Sequence, residues 1–168
     1  MRDPEGRPVP VGKEGEICIR SRSLMTGYLD NPEDTEKAFW PGGWFRSGDV
    51  GVFDENEYIY IVDRIKDLII TGGENVYPRE VEEVIYTSPD VQECAVIGIP
   101  DKEWGERVTA VLVPRPGRTI ETKDLHVLLK DQLSPFKVPK KYLVVDEMPK
   151  NATGKILKRE LRKQFAGG

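Results

Sequence analysis

The sequence is poor in the residues that metal and nucleophilic chemistry need. His126 is its only histidine, and its two cysteines, Cys18 and Cys94, stand far apart with no CxxC spacing. A metal cage built on His and Cys is therefore unsupported, and so is a Ser-His or Cys-His catalytic pair. Both cysteines sit inside apolar, strand-like runs, as buried thiols of a reducing compartment do. His126 falls in an apparent helix and is expected to be solvated. No apolar run approaches the roughly 20 residues that a membrane span requires. The opening stretch MRDPEGRPVPVGKEGEI lacks the apolar core of a signal peptide. An excess of basic charge is missing too: 25 Lys and Arg face 29 Asp and Glu, a formal net charge of −4. That balance gives no support to non-specific nucleic-acid binding. Together these absences lead us to expect a soluble, cytoplasmic protein with no nucleic-acid partner, membrane span or resident metal.

The 168 residues leave room for one domain with a real core or for two small units. The first sixty read as β structure. Glu16 to Arg20 alternates polar and apolar, as does Val50 to Phe53, and a turn at Asp54–Glu57 leads into Tyr58–Val62, which predicts a hairpin. Between them, Asn31 to Phe39 reads as a short capped helix with Pro32 in its first turn. After Asp63, strand and helix alternate. Leu68–Thr71 is a short strand, and Pro78 opens a helix with Val81, Val84 and Ile85 on one face. Val91–Ile99 and Arg107–Val113 are strands, and Thr122 is a candidate cap for a helix bearing Leu125, Leu128, Leu129 and Leu133. Tyr142–Val145 is a last strand and Ile156–Phe165 a basic last helix.

The expected class is thus α+β. A β-rich segment, residues 1–63, precedes a small mixed α/β domain, residues 64–168, with a short sheet and flanking helices. The β-rich segment has few apolar positions and too few strands to close a core alone, so it reads as the end of a larger domain.

Four stretches carry candidate chemistry. Gly43 to Asp49, GWFRSGD, sets a carboxylate on a glycine turn before a strand, where it could accept hydrogen bonds from a ribose diol or simply cap a turn. Asp63 to Asp67, DRIKD, offers Arg64 as a fork for ribose or phosphate, or forms a solvated linker. Thr71 to Asn75, TGGEN, puts glycines where a backbone passes close to a ligand, or forms a plain strand-to-helix turn. Pro149 to Ile156, PKNATGKI, lacks the earlier glycine and the following Ser or Thr of a phosphate loop. What remains there is Lys155 on a flexible glycine-bearing loop, able to reach an anionic substrate.

The order and spacing of these stretches resemble the adenylate-forming superfamily of acyl-CoA synthetases, luciferase-like enzymes and peptide-synthetase adenylation domains. The matching blocks are GEICIRSRSLMTGYLDNPEDT, GGWFRSGDVG, YIYIVDRIKDLIITGGENVYPREVEEVI and PKNATGKILKREL, which span nearly the whole chain. GGENVYPREVEE is most similar to bacterial fatty-acid and aryl-CoA ligases. The resemblance implies an acid-thiol ligase that uses ATP, CoA and Mg2+ to turn a small-molecule carboxylate into an acyl-adenylate and then a thioester. It implies that Asp49 and Arg64 contact the ATP or AMP ribose, that Lys66 is the hinge between two domains, and that Lys155 serves adenylation. Gly72, Gly73 and Glu74 would shape the thiol channel. Trp104, in DKEWGER, is a further candidate for a CoA contact, although a surface turn explains it equally. Some relatives carry a lysine just before the glycine pair. Ile70 stands there in this sequence, so no role for such a lysine transfers.

The family's phosphate loop and acyl pocket, with most of the Mg2+ site, would lie upstream. The chain is therefore expected to be inactive alone and to form the last third of the enzyme. Two alternatives stay open, an adenylation domain that loads a carrier protein and a non-catalytic binding module. The identity of the acid and the oligomeric state are open too.

Overall fold

The computed structural model describes residues 1–166 and divides into two units, Met1–Lys66 and Asp67–Gly168. The sequence alone set a boundary after Asp63; the two compact units part three residues later, after Lys66.

The first unit is a four-stranded antiparallel sheet with one short helix. β1 (Glu14–Ile19) lies along β3 (Trp44–Phe53), and the far side of β3 takes β2 (Phe39–Trp40) and β4 (Ile59–Arg64). Helix α1 (Pro32–Lys37) starts as its sequence predicts: Asn31 accepts a hydrogen bond from the Asp34 amide, and Pro32 fills a first-turn position with no donor to satisfy. It ends sooner than expected, because Phe39 and Trp40 pair with Phe45 and Trp44 as β2. The β3–β4 turn closes on Asp54, whose Oδ1 accepts from the amides of Asn56 and Tyr58 at 2.9 Å each. Val50 is the only buried apolar side chain of this unit among the described residues, while Ile59, Tyr60 and Ile61 are about half exposed.

The second unit is built on a five-stranded sheet in the order β6-β5-β8-β7. Its elements are β5 (Ile69–Thr71), β6 (Glu74–Val76), α2 (Pro78–Ile85), β7 (Val91–Asp101), β8 (Gly105–Pro114), α3 (Thr122–Gln132), β9 (Lys141–Val144) and α4 (Lys158–Phe165). β7 and β8 form a long antiparallel hairpin. β9, reached through α3, runs parallel to β8, since a parallel neighbour requires such a crossover.

Both faces of this sheet are covered, which explains why Cys94–Ile99 reads as a continuous apolar run and Val108–Val113 as one broken only by Thr109. Cys94, Val96, Val108, Ala110 and Leu112 pack with Val81 and Ile85 of α2 and Leu125 and Leu129 of α3. Ala95, Ile97, Ile99, Val111 and Val113 pack with Met148 and with Leu161 of α4. The outer edge of β7 is closed by side chains of α2 rather than by a strand. Val96 donates its amide to Glu82 Oε1 at 2.7 Å and Cys94 donates to Tyr86 Oη at 3.2 Å. Lys158 of α4 neutralises that Glu82 carboxylate at 2.7 Å.

Three local expectations need correction. Thr122 does not cap α3: Glu121 holds the N-cap position, with no side-chain bond to the helix, and Thr122 is the first helical residue. His126 is not simply solvated. It is half-buried, its Nδ1 lies 3.0 Å from Tyr142 Oη and the two rings meet edge to face, while burial pushes the Tyr142 hydroxyl up to about 12. Cys94 is buried and its thiol is pushed up to about 12, chiefly by desolvation, but Cys18 is only half-buried.

Candidate active-site residues

Asp49 lies within β3 rather than on a turn before a strand. The register of β1 against β3 jumps from Glu16↔Val50 to Cys18↔Arg46, so residues 47–49 bulge. Gly48 supplies the left-handed conformation the bulge needs, with φ at 73°. Glu16, a buried residue that pattern reading treats as the polar member of an alternating strand, holds the bulge together. Its Oε2 accepts from Arg46 Nε at 2.9 Å and its Oε1 from the Gly48 amide at 3.2 Å. The bulge turns Asp49 toward β4, where it sits directly across from Arg64. Arg64 Nε lies 3.0 Å from Asp49 Oδ1, with both side chains partly exposed. Asp63 Oδ1 accepts the Arg64 amide at 2.7 Å. A carboxylate and a planar guanidinium are thus presented side by side, an acceptor and a donor suited to a vicinal diol.

Lys66 is the exposed last residue of the first unit, inside a single 3₁₀ turn, Ile65–Asp67. Asp67 belongs to the second unit and is held there by Arg162 of α4, Nη2 to Oδ1 at 3.0 Å.

The glycine pair is not a strand-to-helix loop. Gly72 and Gly73, with φ of 59° and 85°, form the two-residue turn of a hairpin in which Thr71 pairs with Glu74. The structure brings Trp104 onto this turn. The Gly72 amide donates to the Trp104 carbonyl at 2.8 Å, and a Cβ at Gly72 would come within 2.9 Å of the indole. Trp104 itself sits at the tip of the β7–β8 hairpin, where Asp101 Oδ1 accepts the amides of Glu103 and Trp104 at 2.9 and 3.0 Å. Asp101 Oδ2 accepts from Arg107 Nε at 2.8 Å. These bonds, the Trp104 amide foremost, hold the Asp101 carboxyl below its ordinary range.

Beside Trp104 opens a cleft of about 890 Å3, lined in part by Thr71, Lys102, Arg107, Phe136 and Lys140. Lys137, next to Phe136 in the chain, pairs with Glu80 of α2, Nζ to Oε1 at 2.7 Å. Sequence reasoning missed Phe136 and Lys140. The signal was the run SPFKVPKK, in which an aromatic stands among prolines and lysines.

Lys155 is exposed, does not line that cleft, and makes no ion pair with any described residue. Its loop is closed at the base by the bridge Lys150↔Ile156. Among the described residues no three His, Cys, Asp or Glu side chains gather to hold a metal, and no helix is long and apolar enough to cross a membrane.

The mixed sheet covered on both faces, and the strands that precede it, are shared with proteins of known sequence and structure. The family model of the AMP-binding enzyme C-terminal domain matches residues 80–155. A feruloyl-CoA synthase from Amycolatopsis is 47% identical over 165 residues, 98% of this chain and 33% of that protein. A fatty acid–[acyl-carrier-protein] ligase, ScoC, from Streptomyces coeruleorubidus is 46% identical over 98% of this chain and 32% of its own length. The crystal structure of ATP-bound MatB from Rhodopseudomonas palustris superposes with a TM-score of 0.92 at 42% identity, covering 98% of this chain and 33% of that one. Residues 80–155 are thus similar to the AMP-binding enzyme C-terminal domain, and the relatives the chain matches include a CoA synthase and an acyl-carrier-protein ligase. It spans about a third of the length of the curated relatives it matches.

Proposed function

We propose that this chain supplies the C-terminal catalytic part of an ATP-dependent acyl-CoA synthetase. A carboxylate oxygen attacks the α-phosphorus of ATP and expels pyrophosphate, giving an acyl-adenylate. The CoA thiolate then attacks the acyl carbon and expels AMP. The observation that carries this reading is the Asp49–Arg64 pair on adjacent strands, 3.0 Å apart. Asp49 accepts hydrogen bonds from the ribose hydroxyls and Arg64 donates to them. Opening the pair for a ligand costs little, because a partly exposed ion pair contributes only about 0–1 kcal/mol.

Lys155 offsets the negative charge that gathers as the α-phosphate is attacked. Its exposed ammonium makes no ion pair with a described carboxylate, and its charge is most useful in the transition state. The cleft beside Trp104 takes the nucleotide end of CoA. Its indole and the Phe136 ring suit a flat base, and Lys102, Arg107 and Lys140 suit phosphates. Around Gly73 no atom lies within 4 Å of a would-be Cβ, which leaves a way past the hairpin for the slender thiol arm. Lys66 is the pivot that exchanges the lysine loop for the glycine hairpin, since two half-reactions need two constellations. Among the described residues no cluster of carboxylates fits a resident Mg2+. Two free thiols suit a reducing cytoplasm.

A second reading, transfer to a carrier protein instead of CoA, draws on the likeness to ScoC. One assay separates the readings. The complete polypeptide carrying this chain, given ATP and a panel of fatty and aryl acids, should release AMP and pyrophosphate and form a thioester with free CoA. Formation of the thioester on carrier protein alone would favour the second reading, and release of ADP and phosphate would overturn both.

A further inference from the structure

The loop bearing Lys155 is organised by one side-chain oxygen. Asn151 Oδ1 accepts the Thr153 amide at 3.0 Å, the Thr153 hydroxyl at 2.8 Å and the Lys155 amide at 2.9 Å. The backbone closes the same ring. The Asn151 amide donates to the Lys155 carbonyl at 3.0 Å, and the Gly154 amide to the Asn151 carbonyl at 3.0 Å. Gly154, with φ at 82°, makes the reversal without strain. The base of the loop is fixed as well, because Lys150 pairs with Glu93 of β7 and the Leu157 amide donates to the Pro149 carbonyl at 2.8 Å. The backbone at Lys155 is therefore constrained on both sides, while its ammonium stays exposed.

We propose that Asn151 is a positioning residue for Lys155: its amide oxygen gathers the loop so that the lysine meets the reacting phosphate already oriented. This rests on the adenylation role given to Lys155 above. The physical reason is entropy. A lysine on a free glycine loop would have to order several backbone dihedrals at the moment of reaction, whereas here most of that ordering is complete beforehand. Asn suits the position because its carbonyl oxygen can gather amide and hydroxyl donors without bringing a charge next to the lysine. Asp keeps the acceptor, and Ala removes it.

The test is a set of variants in the complete polypeptide, read separately as ATP–pyrophosphate exchange and as CoA transfer from supplied acyl-adenylate. Asn151→Ala should lower kcat for exchange by on the order of 10-fold to 10²-fold, as small misplacements of catalytic groups do, with CoA transfer near normal. Asn151→Asp, which keeps the acceptor but adds a charge beside the lysine, should recover only part of that loss. Asn151→Ala should cost nothing further in a Lys155→Ala background, because a residue that acts through Lys155 cannot be lost twice. If Lys155→Ala cripples exchange while Asn151→Ala leaves it normal, or if the two losses add in the double variant, the positioning role is wrong and the role of Lys155 stands. If Lys155→Ala itself leaves exchange normal, both fall. In the 168-residue chain, Asn151→Ala should also speed hydrogen exchange at the Lys155 amide, and unchanged exchange there counts against the proposal.

Discussion

Under the proposed function, Lys155 is one exposed charge that serves one half of the reaction and not the other. Removing a single electrostatic donor aimed at a transition state typically costs on the order of 10²–10³ in rate. Lys155→Ala in the complete polypeptide should lose that much in pyrophosphate exchange, while CoA transfer from supplied acyl-adenylate stays near normal. A solvated lysine without a role would leave both steps within a small factor of wild type. Asp101 provides a prediction in pH. Its folded-state pKa is lowered, so its contribution to stability is fully present above the ordinary carboxylate value of about 3.9 and is lost as pH falls through the lower folded value. The hairpin tip should therefore loosen only below about pH 4, seen as movement of the Trp104 amide and indole resonances. In Asp101→Asn those resonances should no longer titrate over that window. Identical profiles for the two proteins would show that Asp101 does not hold the tip.

Among the elements, the long ones were legible and the short ones were not. β7, β8 and α2 can be read directly from apolar periodicity, because each carries enough turns or pleats to repeat its pattern. β2 and β6, of two and three residues, are too short to show alternation. Missing β6 turned the Gly72–Gly73 hairpin into an apparent strand-to-helix loop. Gly48 misled for a related reason: a glycine in the middle of a strand reads as a turn, when here it is the bulge that points Asp49 at Arg64. The candidate residues Asp49, Arg64 and Lys155 were visible as residue types in order along the chain. Their supports, Glu16 and Asn151, were not, because nothing local marks a strand glutamate as buried or an asparagine as a hub. The two hairpin glycines should also differ on substitution. Gly72→Ala must accept a left-handed φ and push against the Trp104 ring, and should lose about 1–3 kcal/mol in urea unfolding. At Gly73 an added Cβ meets nothing within 4 Å and Asn tolerates positive φ, so Gly73→Asn should stay within about 1 kcal/mol of wild type. Equal losses at the two positions would mean that the indole contact is not what restricts Gly72.

At the scale of the whole molecule, the two units are unequal in the one quantity that most affects stability. The second unit has two apolar clusters, one on each face of its sheet, whereas the first buries Val50 alone among its apolar side chains. At about 1.5–3 kcal/mol for each fully buried large apolar side chain, a single such residue offsets little of the chain entropy that folding the first unit costs. The first unit should therefore unfold before the second when urea is added to the 168-residue chain. The tryptophans allow this to be read cleanly, since Trp40 and Trp44 lie in the first unit and Trp104 is the only one in the second. In a Trp104→Phe variant, fluorescence reports the first unit alone. Far-UV circular dichroism is weighted to the second, which holds α2, α3 and α4. The fluorescence midpoint should fall at lower urea than the dichroism midpoint. Amide protons of β7 and β8 should likewise outlast those of β1, β3 and β4 in hydrogen exchange. Coincident transitions, with uniform protection across both sheets, would mean that the chain unfolds as one cooperative body and that its sparse β sheet draws its stability from outside its own core.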